Sequence, residues 1–157
     1  MTSTTTNLSL DEIFNLAKAA LLNNGANEEN ADAVATTVTN AERDGSVSHG
    51  LFRIPGYIKA LQSNKVDGSA RPEIEEVTPT IFRCDAQNGF APLAHKYGIK
   101  KLIEAANAFG IAGLAIKRCH HFAALWPEVE AISDHGLVGL TSVSYTPAVA
   151  PSGGAEA

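Results

Sequence analysis

The sequence lacks a glycine-rich phosphate loop. No GxGxxG follows a strand-like run, and no GxxxxGK[ST] pattern occurs. Neither a Rossmann dinucleotide fold nor a P-loop fold is therefore predicted. "SGGAEA", residues 152–157, comes close in composition but opens no visible helix. Cysteine is scarce: Cys84 and Cys119 lie far apart and no CxxC exists, which excludes a zinc finger and a disulfide framework. Both read as reduced, mostly buried thiols. Positive charge is not in excess. The formal net charge is −5 and no basic run occurs, so nucleic acid is not an expected partner. No apolar run approaches the roughly 20 residues that span a bilayer. "MTSTTTNLSL" has neither the basic start nor the apolar core of a secretory signal. The expectation is a soluble cytoplasmic protein with no membrane partner. Internal repeats and low-complexity segments are absent too.

What is present is ordinary globular composition. Of 157 residues, 45% are apolar and 18% charged, enough for a hydrophobic core. Residues 1–8 read as a frayed tail. Ser9-x-x-Glu12 is a capping-box pattern, and Leu10, Ile13, Phe14, Ala17 and Leu21 follow at helical spacing. Gly25 fits a left-handed stop. A second helix is predicted over 27–43, closed by Asp44-Gly45. A third holds Phe52, Ile54, Tyr57, Ile58 and Leu61, with Pro55 in its first turn. Residues 64–72 read as a loop. "EIEEV" and "TIFRCDA" read as strands joined at Thr78-Pro79. A long helix over 92–109 ends at Gly110. "IAGLAIKR", residues 111–118, and "LVGLTSVS", residues 137–144, read as buried strands. A short helix in "WPEVEAISDHG" lies between them. Residues 9–63 thus form a helical segment and 64–157 a partial α/β unit with partly parallel strands.

Two polar clusters could carry chemistry. In "RDGSVSHGLFR", residues 43–53, a histidine between Ser48 and Gly50 stands at a helix start. His49 can exchange a proton near neutral pH, and Ser48 could orient it. Arg53, about a turn later, can hold a carboxylate with two parallel hydrogen bonds. The plainer alternative makes Ser48 a helix cap and Arg53 a solvated surface residue. In "KRCHHFAALWP", residues 117–127, His120 and His121 follow a strand directly, where α/β proteins place ligands. Two histidines pointing apart do not make a metal site, so no metal is expected. Phe122, Leu125 and Trp126 also fit a core. "CDAQNGFA" reads as an Asx turn, and Asp44 as a helix-end residue.

"RDGSVSHGLFRIPGY", "VDG", "DAQNGFA", "HHFAALWPEVE" and "GLVGL" occur in this order. Together they resemble the N-terminal half of the malate/L-lactate dehydrogenase-like family of NAD(P)H-dependent oxidoreductases. "HHFAALWPEVE" resembles the Δ1-piperideine-2-carboxylate/Δ1-pyrroline-2-carboxylate reductase branch in particular. The resemblance implies a non-Rossmann oxidoreductase fold, with an N-terminal helical layer followed by a partial α/β sheet layer. It implies NADPH as cofactor, NADH being the alternative, and a cyclic imino acid or 2-keto acid as substrate. His49 would donate a proton, Ser48 would belong to its relay, and Arg53 would hold the substrate carboxylate. His121, Phe122, Ala123, Ala124 and Leu125 would line the cofactor site, with His120 beside them. A homodimer is implied as well.

Members of that family run to roughly twice this length. After the glycines they continue into a Phe-Gly-Thr-Asn-Pro type segment and an Asp that completes the histidine relay. The expectation is therefore a truncated or partial sequence with little activity alone. Two rival expectations stand beside it: a malate- or lactate-type 2-hydroxy acid dehydrogenase of the same family, and a non-catalytic α/β binding or dimerisation module.

Overall fold

Ser9 starts the first helix in the computed structural model, which describes residues 6–120 and 124–144. Its hydroxyl accepts from the Glu12 N–H at 3.3 Å, and the Glu12 carboxylate accepts from the Ser9 N–H at 2.8 Å. Both sides of the capping box are therefore made. Helix α1 (Leu10–Leu22) is followed by α2 (Glu28–Arg43), capped by the Asn27 side chain. Two 3₁₀ turns, Val47–His49 and Leu51–Arg53, lead into α3 (Ile54–Gln62), with Pro55 in its first turn. Gly25, Gly45 and Gly110 all adopt positive φ at the helix ends. Ala17, Ala31 and Ala35 are fully buried between the helices. These small side chains let α1 approach α2 closely, and Leu21, Val38 and Tyr57 fill the remaining space.

Three strands follow: β1 (Glu73–Thr78), β2 (Ile81–Asp85) and β3 (Gly113–Lys117). β1 pairs antiparallel with β2, and β2 pairs parallel with β3. Helix α4 (Ala91–Phe109) makes the crossover between the parallel pair. It lies so close to the sheet that a Cβ on Gly98 would come within 2.5 Å of a Leu114 methyl. Helix α5 (Trp126–Ser133) returns against α4. Phe90, at the start of α4, is 1% exposed and joins the helical core. The helical and sheet layers thus share one large anchor.

Two expected elements differ. β3 forms where predicted but is not buried; its residues alternate between half-buried and exposed. Residues 137–144 form no strand, and Val138 and Leu140 are 100% and 95% exposed. The reason is pairing. Among the described residues β3 bonds to β2 on one side only, and no second ladder reaches 137–144. An apolar run becomes a strand only when a neighbour takes its N–H and C=O groups. Instead this segment packs on Ile132 of α5 at Gly139 and, with β3, α4 and α5, lines a cavity of about 770 Å3.

Candidate active site

The loop after α2 is built by its own backbone. The Ser46 N–H donates to Ala41 O at 2.8 Å, and the His49 N–H to Ser46 O at 2.8 Å. Glu42 then reaches over the loop, and its carboxylate accepts from the Leu51 N–H at 2.7 Å. A side chain at position 50 would collide with that carboxylate. A larger residue at 50 would have to displace the Glu42 carboxylate from its bond to Leu51.

His49 is half-buried within this loop. Its Nδ1 lies 2.9 Å from Ser48 Oγ and 3.4 Å from Ser46 Oγ. A hydroxyl donating to Nδ1 holds the neutral ring in the Nε2–H tautomer; in the imidazolium, Nδ1–H donates to the same oxygen. In the other neutral tautomer Nδ1–H donates to the hydroxyl and Nε2 is bare, the form left once Nε2 has given up a proton; Nε2 has no hydrogen-bond partner among the described residues. Burial, and then the positive charge of Arg53, lower the His49 pKa below its ordinary 6.5. Arg53 Nε donates to Ser48 O at 2.6 Å. Ser48 caps no helix. Its hydroxyl holds the imidazole and its carbonyl holds the guanidinium, so His49 and Arg53 are fixed to one residue.

The second cluster lies where β3 ends. His120 pairs with Phe90 through an isolated parallel bridge: its N–H donates to Gly89 O at 2.8 Å, and its carbonyl accepts from the Ala91 N–H at 3.2 Å. The His120 ring stands on Phe90 with centroids 6.1 Å apart, and Phe90 stands on Tyr57 at 5.6 Å. Burial, then Lys65, lower the His120 pKa. Burial pushes the Tyr57 hydroxyl up to about 12. Ala124 is buried and Leu125 half-buried at the start of α5. His121, Phe122 and Ala123 lie outside the described residues. The Asx turn in "CDAQNGFA" is present: Asp85 Oδ1 accepts from the Gln87 N–H at 3.0 Å. Arg118, then the Gln87 N–H, hold Asp85 down at about 2. No group of three His, Cys, Asp or Glu side chains suited to a metal occurs among the described residues.

Four residues of this region were not legible as a cluster in the sequence. The Trp126 ring meets His49 nearly edge-on, with centroids 6.2 Å apart and planes at 76°. Its indole Nε1–H donates to Asp44 Oδ2 at 2.9 Å. Arg43 grips Asp44 with two parallel bonds, 2.7 and 2.8 Å. It also reaches Glu130 Oε2 at 3.4 Å. Arg43 and then Trp126 hold the Asp44 pKa below the ordinary value. Asp44 and Trp126 are 82 positions apart, and no local spacing rule links them. The end of the His120 segment thus abuts the His49 loop.

The chain is 40% identical over 149 residues to a Δ1-pyrroline-2-carboxylate reductase of Pseudomonas fluorescens, covering 95% of this chain and 44% of that protein. The structure superposes on δ1-piperideine-2-carboxylate reductase from Pseudomonas syringae pv. tomato with a TM-score of 0.81 at 44% identity, over 84% of this chain and 40% of that one. It superposes on malate dehydrogenase from Entamoeba histolytica with a TM-score of 0.79 at 29% identity, over 85% and 37% respectively. The chain therefore spans less than half the length of the curated relatives it matches. The sequence profile of the malate/L-lactate dehydrogenase family matches residues 8–157, and the chain belongs to that family.

Proposed function

We propose that this chain carries the proton donor and the carboxylate clamp of a nicotinamide-dependent reductase of cyclic imino acids. The substrate is Δ1-piperideine-2-carboxylate or Δ1-pyrroline-2-carboxylate, and the preferred cofactor is NADPH. One observation carries the reading: Ser48 fixes both the His49 imidazole and the Arg53 guanidinium. A proton donor and an anion clamp held to one residue keep a constant separation, which orientation-dependent catalysis needs. The names of the relatives support the substrate class. The pyrroline-2-carboxylate reductase is 40% identical, whereas the malate dehydrogenase is 29% identical.

The residues suit a nicotinamide group. His120, Ala124 and Leu125 follow the carboxyl end of β3, beside the carboxyl end of parallel β2, the usual ligand side of such sheets. Ala124 adds little bulk there. His121, Phe122 and Ala123 complete the segment in this reading. The cofactor supplies the hydride that reduces the C=N carbon. Arg53 binds the substrate carboxylate through its Nη groups, which have no partner among the described residues. His49 Nε2 supplies or maintains the proton on the ring nitrogen, which makes the adjacent carbon more electrophilic. A bound carboxylate offsets the Arg53 charge that depresses His49. Substrate binding therefore favours the protonated donor.

A 2-keto acid would use the same groups, with His49 protonating the developing alkoxide. The test is a substrate panel on the complete polypeptide that carries this sequence. Both imines, pyruvate and oxaloacetate are each offered with NADPH and with NADH. Turnover of an imine, preferentially with NADPH, is expected, and His49→Ala lowers it about a thousandfold. Turnover of keto acids alone would overturn the substrate class.

A further inference from the structure

We propose that Trp126 and Asp44 form a latch that positions His49, with Arg43 holding the latch shut. The inference rests on the proposed role of His49 and adds residues that touch no substrate in that reading.

Ser48 and Ser46 both contact Nδ1. Contacts at one nitrogen fix a point of the ring and leave its plane free to swing. A perpendicular indole 6.2 Å away, at 76°, restricts that swing. The indole is itself held. Its N–H donates to Asp44 Oδ2 at 2.9 Å, a charge-assisted bond. Arg43 restrains Asp44 by holding both of its oxygens in fork geometry. Arg43 also reaches Glu130, four residues after Trp126 and on the same face of α5. The last residues of α2 thus grip α5 at two successive turns. None of these hydrogen bonds uses Nε2, and Arg53 makes none of them.

An ordinary surface clamp would serve stability alone. A latch on His49 affects the chemical step while leaving carboxylate binding intact. The test compares Trp126→Phe, Asp44→Asn and the double variant in the complete polypeptide that carries this sequence. Each single variant is expected to lower kcat about tenfold and to leave the imino acid KM within about twofold. The double variant should be no worse than Trp126→Phe, because Trp126→Phe removes the bond that Asp44→Asn weakens by removing its charge. The His49 ring resonances should move in both single variants, since the indole's ring current and the ring's orientation change together. These resonances are read without turnover. They judge the latch even if the wild type reduces no imino acid, the result that would instead sink the proposed function. Asp44 is exposed, so Asp44→Asn carries the test if Trp126→Phe does not fold. Unmoved His49 resonances would overturn the latch. So would unchanged kcat with a raised cofactor KM, which would assign Trp126 to the cofactor segment.

Discussion

The guanidinium of Arg53 lowers the pKa of His49, second only to burial. Arg53→Met removes that charge and keeps much of the side chain's length. The His49 pKa should then rise toward the ordinary 6.5, read directly from its ring protons across a pH series. The sign for catalysis follows. A step that needs the imidazolium is complete below the folded pKa and is lost as pH rises through it. In the ligand-free wild type the imidazolium is lost beginning below pH 6.5, and in Arg53→Met that loss moves to higher pH. If Arg53 clamps the substrate carboxylate as proposed, the imino acid KM should rise about a hundredfold, because the variant cannot make that bidentate contact. A His49 titration identical in both proteins would refute the coupling. At this scale the sequence was informative wherever partners are close along the chain. Ser48 and Arg53 are five positions apart, in two successive 3₁₀ turns, and the Asp85 Asx turn spans three residues. Trp126 escaped because its partners, Asp44 and His49, come from the other end of the chain.

Among the elements, the helices were legible because each carries its own start and stop signals: Ser9, Asn27, Pro55 and Gly110. Strands depend on neighbours, and 137–144 has no ladder partner among the described residues although its apolar run reads as a strand. The α4–α5 contact was not legible either. Glu128 of α5 is 8% exposed, its Oε2 accepts no hydrogen bond among the described residues, and its Oε1 lies 3.7 Å from His95 Nε2. Burial pushes the His95 pKa down to about 4 and raises that of Glu128. His95 is therefore neutral over most of the pH range. A histidine with a depressed folded pKa contributes stability above pH 6.5 that is lost as pH falls through about 4. Glu128 has the opposite slope. Its raised pKa stabilises the fold at low pH, and the contribution fades as pH rises. Glu128→Gln removes the opposing slope and leaves that of His95. Urea unfolding of this variant should show about 3 kcal/mol less stability at pH 4 than at pH 7. The wild type should show a flatter profile. Equal profiles would mean that the two groups do not titrate as their burial dictates.

At the scale of the whole molecule, apolar surface and family length point the same way. The chain matches 44% of the pyrroline-2-carboxylate reductase it resembles. Its described part leaves Val138 and Leu140 almost fully exposed beside a cavity of about 770 Å3. Among the described residues, His49 also has no carboxylate on Nδ1, only two serine hydroxyls. Hydroxyls orient an imidazole but do not offset the charge of the imidazolium, as a carboxylate would. A polypeptide of these 157 residues alone should therefore reduce Δ1-piperideine-2-carboxylate at less than about a hundredth of the rate of a full-length relative. Adding the remaining part of the Pseudomonas syringae enzyme as a separate polypeptide should raise that rate. It should also slow amide hydrogen exchange over 137–144, where a new ladder would protect the backbone. His49→Ala in this chain should abolish the regained turnover. If the 157 residues alone match a full-length relative, the donor needs no carboxylate and the serine pair suffices. If they stay monodisperse and inactive, with exchange over 137–144 unchanged by the second polypeptide, a binding module with an oxidoreductase fold becomes the better description, because a site that needs completion would have been completed.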